Sequence, residues 1–121
     1  MPMTYEIDSA SGIVRVTMTG HLTAGDFHDY MRATREDPAF RPEMSRLVIA
    51  LSVESFPSGP EIQAIAQETR ARSLAPGARF AVVANTPLAV GMANMLFIQS
   101  GLDERYAIFR DEAAAKAWLV S

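Results

Sequence analysis

Three short apolar runs without polar alternation constrain this chain more than any other feature: Leu47-Val48-Ile49-Ala50-Leu51, Phe80-Ala81-Val82-Val83-Ala84 and Tyr106-Ala107-Ile108-Phe109. Runs of this kind suit strands covered on both faces, as in a parallel sheet flanked by helices. Each is followed by a helix-start signal. Ser58 precedes Glu61 by the capping-box spacing with Pro60 in the permissive first turn, Thr86 precedes Pro87, and Asp111 precedes an alanine-rich stretch. Strand, cap and helix recurring in this order is the pattern of β-α-β units.

The front of the chain reads differently. Residues 4–8 and 13–19 form two strands in partial alternation, joined by a turn around Ser9-Ala10-Ser11-Gly12, which places a hairpin at one sheet edge. Thr23 and Asp26 approach a capping box, and Phe27, Tyr30, Met31 and Thr34 follow at helical spacing, so a first helix spans about 24–36 and stops at Asp37-Pro38. Further strands fall at 46–51, 79–84 and 105–109. Helices fall at 59–74, ended by Pro76-Gly77, at 87–100, closed by Gly101, and at 112–119. The expected order is ββαβαβαβα, an α/β domain over residues 1–121 with a mixed, mainly parallel sheet of about five strands and right-handed crossovers.

Composition narrows the function classes. The chain has 121 residues, 49% hydrophobic and 21% charged, which is ordinary for one globular unit. Its net charge is −3, and its basic residues, all arginine except Lys116, are scattered singly rather than in a stripe, so no nucleic-acid partner is expected. With no cysteine there is no disulfide, no thiolate nucleophile and no Cys-ligated zinc. The opening residues lack a signal-peptide pattern and no apolar stretch reaches the length of a membrane span, so a cytoplasmic protein is expected.

In open α/β sheets the carboxyl ends of the strands are the usual ligand edge. The polar residues expected there are His21, Ser52, Glu54, Ser55, Ser58, Asn85, Thr86, Arg110 and Asp111. Ser58 reads first as a helix cap, worth about 1 kcal/mol. A small hydrolase or isomerase would need His21 within hydrogen-bond reach of Ser52, Ser55 or Ser58, oriented by Asp26 or Glu54. No Gly-x-Ser-x-Gly elbow is present, no catalytic residue is assigned, and His21 and His28 with Asp26 and Asp29 reproduce no metal spacing. No cofactor or metal is therefore expected. The third helix is apolar around most of its circumference, from Leu88 to Ile98. Met92, Met95 and Phe97 are accordingly expected to meet a second subunit or a lipophilic ligand, with the domain's own core as the plainer alternative.

As a whole the chain resembles the SpoIIAA-like family, also described as STAS or Sec14-like domains. The resemblance is carried by Gly20-His21-Leu22-Thr23, the strand Leu47 to Leu51 with its serine-containing exit, Phe80 to Ala84, the Gly91-Met92-Ala93-Asn94-Met95 stretch and the ending from Phe109 to Leu119. It implies a β-α superhelix and a non-enzymatic bacterial binding or signalling module, a homodimer acting through protein partners or a small apolar ligand. In the anti-sigma-factor antagonists of the wider family, a kinase modifies a serine at the start of the helix after the third strand. Ser58 occupies that place and is the phosphorylation candidate, while Ala50 and Pro57 depart from that pattern.

Overall fold

A computed structural model describes residues 2–71, 77–102 and 104–121. The elements are β1 (Met3–Asp8), β2 (Ile13–His21), α1 (Ala24–Glu36), β3 (Ser45–Ser55), α2 (Gly59–Ala71), β4 (Phe80–Ala84), α3 (Pro87–Gln99), β5 (Tyr106–Phe109) and α4 (Glu112–Leu119). This is the ββαβαβαβα order read from the sequence, in one five-stranded sheet of spatial order β1-β2-β3-β4-β5. β1 pairs antiparallel with β2, and every later neighbour is parallel. The expected continuation of α2 from residue 72 to 74, and its stop at Pro76, lie outside the described residues.

The caps decide where the helices begin. Thr23 and Asp26 form a reciprocal capping box on α1, Thr86 accepts from the Ala89 N–H on α3 with Pro87 behind it, and Asp111 accepts from Ala114 on α4. α3 ends at Gly101, whose φ of 75° suits glycine, and the Leu102 N–H returns to the Phe97 carbonyl at 2.9 Å. β3 continues to Ser55 although its apolar run ends at Leu51. The polar tail still finds a ladder because β2 extends beside it, pairing Thr19 with Ser52 and His21 with Ser55 across two register shifts, with Gly20 at a φ of 67°.

Because the sheet advances one strand at a time in a single direction, right-handed crossovers put α1, α2 and α3 on one face. Side-chain alternation in β3 and β4 serves both layers. Val14, Val16, Ala50, Ile62 and Ile65 join one core with Phe27 and Met31, and Phe80, Val82 and Phe97 continue it under α3. Leu47, Ile49, Ala81 and Val83 face the other way and pack on Ala115 and Leu119 of α4. Arg15 of β2 also points to that side and holds Glu112 of α4 through two hydrogen bonds of 2.8 and 3.1 Å. Trp118 anchors the C-terminus against Phe109 and beneath the Arg79 guanidinium. Among the described residues, no helix is long and apolar enough to cross a membrane.

Candidate functional site

Val48 lies at the middle of the sheet, paired with Val16 on one side and Val82 on the other, and yet it is only half-buried. The reason is a cavity of about 290 Å³ between the sheet and the three helices that roof it. Val16, Val48 and Val82 form its floor; Met31, Ile62, Ile65, Met92 and Leu96 form its roof and sides. Ala50, Ala89 and Ala93 border it with side chains too short to fill the space. Arg35 and Pro42, both exposed, mark a rim where α1 ends and the chain turns toward β3. Apolar lining with few polar groups is the usual character of a small-molecule site.

The polar groups in this lining are unequal. The hydroxyls of Thr34, Thr69 and Ser100 already donate to carbonyls of their own helices: Tyr30 and Met31, Ile65, and Leu96 respectively. Arg46 is different. It is 7% exposed and sits at the start of β3, in the same inward phase as Val48 and Ala50. One Nη1 donates to the Met44 carbonyl at 2.7 Å. The guanidinium carbon stands 4.8 Å from the Phe40 ring centroid and 5.3 Å from that of Phe80, within cation–π range. The Tyr30 hydroxyl lies beside it, close enough to act on its charge. Burial pushes the Arg46 guanidinium down from its usual range, the Tyr30 hydroxyl opposes that shift, and the neighbouring charge of Arg105 adds to it. Burial raises Tyr30 as well. Among the described residues, no carboxylate forms an ion pair with Arg46.

The residues singled out from the sequence fall in three places. His21 meets Ser55, with Nδ1 2.8 Å from Oγ, and its Nε2 lies 3.5 Å from Glu54. The His21 and Glu54 side chains are 75% and 69% exposed, and none of the three residues borders the cavity. Ser58 is held in a capping box: its N–H donates to Glu61 at 2.9 Å, and its Oγ accepts from the Glu61 N–H at 3.4 Å. Met92 and Phe97 line the cavity. Phe97 is buried, stacked 4.8 Å from Tyr106 and 5.2 Å from Phe80, while Met95 is half-buried against the α1–α2 core. Among the described residues, no cluster of three or more His, Asp or Glu side chains could hold a metal.

The carboxyl-edge rule located His21, Ser55 and Ser58 but not the cavity. That rule concerns sheets whose strand order reverses, leaving a crevice between helices on opposite faces. Here the order is monotonic, the crossover helices share one face, and the enclosed space lies beneath them. Arg46 and Tyr30 were not anticipated from sequence. The available signal was parity: Arg46, Val48 and Ala50 alternate with Leu47 and Ile49, so a strand with both faces covered has to bury that arginine.

No protein-family model and no curated protein matches the chain. Among solved structures it is similar to an uncharacterised DUF3478-family protein from Shewanella loihica PV-4, described as having a SpoIIAA-like fold. The TM-score is 0.66 at 14% identity, over 97% of this chain and 91% of that one.

Proposed function

From the SpoIIAA-like fold of this chain, we propose a non-enzymatic binding module that holds a small lipophilic molecule between its sheet and helices α1 to α3. The observation that carries this reading is the cavity over Val48, apolar in lining and open to an exposed rim at Arg35 and Pro42. A well-packed domain keeps few voids larger than a water molecule, and dry apolar cavities take up apolar ligands readily. At about 290 Å³ the space suits a ligand of roughly a dozen non-hydrogen atoms, scaled from the smaller engineered cavity that accepts benzene. Methionines at Met31 and Met92 suit a wall that adapts to its contents. Ser58 offers the module a point of control, because a phosphate there would face the N-terminus of α2, where free N–H groups and the helix dipole favour negative charge. A cytoplasmic location and a homodimer accompany this reading as proposals.

Titration of the protein with decanol, followed by two-dimensional NMR, tests the reading. Saturable shifts should concentrate on Val16, Val48, Val82, Met92 and Leu96, and a His21→Ala variant should bind as well as the parent. No saturable binding up to the solubility limit overturns the proposal. Turnover of ester substrates lost in His21→Ala would favour the hydrolase alternative.

A further inference from the structure

The wall of the cavity carries one group whose chemistry is unspent. A guanidinium presents several N–H donors in a planar fork and keeps its charge at neutral pH. Arg46 uses one donor on the Met44 carbonyl, lies beside the Tyr30 hydroxyl, and stands over the rings of Phe40 and Phe80. Ring contact offsets part of the cost of burying the charge but provides no acceptor for the N–H groups that remain. A buried cation normally has an ionic partner, because an isolated charge in apolar surroundings is costly. Arg15, on the opposite face of the same sheet, has such a partner in Glu112. Arg46 borders the cavity and has none among the described residues. A second arginine, Arg35, stands at the exposed rim of the same cavity.

We propose that the ligand of this cavity is an amphipathic anion whose carboxylate pairs with the Arg46 fork beside the Tyr30 hydroxyl, while its apolar body lies along Val48 and Val82 beneath α3. The proposal rests on the lipophilic-ligand reading and deepens it by assigning the chemistry of the head group. A carboxylate matches the planar guanidinium with two parallel hydrogen bonds and supplies the missing counter-charge. The three satisfied hydroxyls, on Thr34, Thr69 and Ser100, leave Arg46 as the feature that selects for charge. A neutral alcohol of equal length would accept from the fork through a single oxygen and supply no counter-charge. A cationic one would face repulsion.

The test compares decanoate, decanol and decylammonium by calorimetric titration of the parent protein, Arg46→Met and Arg46→Lys. The parent should bind decanoate at least about tenfold more tightly than decanol, and decanol more tightly than decylammonium, as expected for a charge-assisted hydrogen bond. Arg46→Met should keep decanol affinity within about threefold and lose the preference for decanoate. Arg46→Lys, which keeps the charge but not the fork, should fall between them. Equal affinity of the parent for decanoate and decanol overturns the proposal while leaving the lipophilic cavity standing, and that comparison needs no variant to fold. A decanoate preference that survives in folded Arg46→Met overturns it too. Failure of the parent to bind any of the three overturns both readings.

Discussion

Arg15 and Arg46 show how the same side chain is handled on the two faces of one sheet. Arg15 forms a bidentate pair with Glu112, which ties α4 to β2, and its N–H groups hold the Glu112 carboxyl below the usual carboxylate range. A carboxyl lowered by folding contributes stability that is present above its unfolded value, about 4.3, and is lost as pH falls through the lower folded value. Both side chains are more than a third exposed or close to it, 40% and 34%, so screening keeps the contribution below about 1 kcal/mol. Glu112→Gln should therefore melt slightly below the parent at pH 7, and the gap should close as the pH is lowered past the folded value. Thermal melts across pH 2 to 7 check this, and a gap independent of pH would refute the pairing as its cause. Among the described residues Arg46 has no such carboxylate, so its contribution belongs to the proposed binding rather than to stability.

At the scale of elements, α3 decides both the volume and the accessibility of the site. It is fixed at one end by Phe97 between Phe80 and Tyr106, by the Tyr106 hydroxyl donating to Asn94, and by the Gly101 turn. Toward its N-terminus it turns Ala89 and Ala93 to the cavity, and the space left by those short side chains is what a ligand would fill. Ala93→Leu should occupy part of it. Filling a void with apolar atoms commonly adds about 0.5–2 kcal/mol, so the variant should melt a few degrees above the parent and bind decanol much more weakly. A variant that melts lower would place Ala93 against packed side chains instead of open space.

For the whole molecule, the outward side of α3 remains. Leu88, Gly91 and Ile98 recur along one exposed stripe, with Leu88 48% and Ile98 55% exposed. An apolar stripe on a peripheral helix is a surface for association, and the proposed homodimer uses it. Sedimentation should give a dimer for the parent. The double variant Leu88→Glu/Ile98→Glu should give a monomer with unchanged circular dichroism, because both side chains already reach solvent. A monomeric parent removes the homodimer from the proposed function.

Much of this architecture is dictated locally. The unalternating runs Leu47 to Leu51 and Phe80 to Ala84 require cover on both faces, and Thr23, Ser58, Thr86 and Asp111 mark where helices begin because each supplies an acceptor to free N–H groups of a first turn. Order, fold class and most element bounds follow from those short-range rules. The end of β3 does not, since Ser52 to Ser55 become strand only because β2 runs beside them. The site lies further still from local control. Ala50 comes from β3 and Ala89 and Ala93 from α3, and only the convergence of these two elements turns three small side chains into a cavity. Strand parity alone directs Arg46 inward, but whether a carboxylate meets it there depends on which residues α1, α2 and α3 bring over the sheet. Hydrogen-bond caps and hydrophobic period act over a few residues and are written in the sequence; volume and charge balance are sums over every element that reaches the same space, and tertiary structure alone decides them.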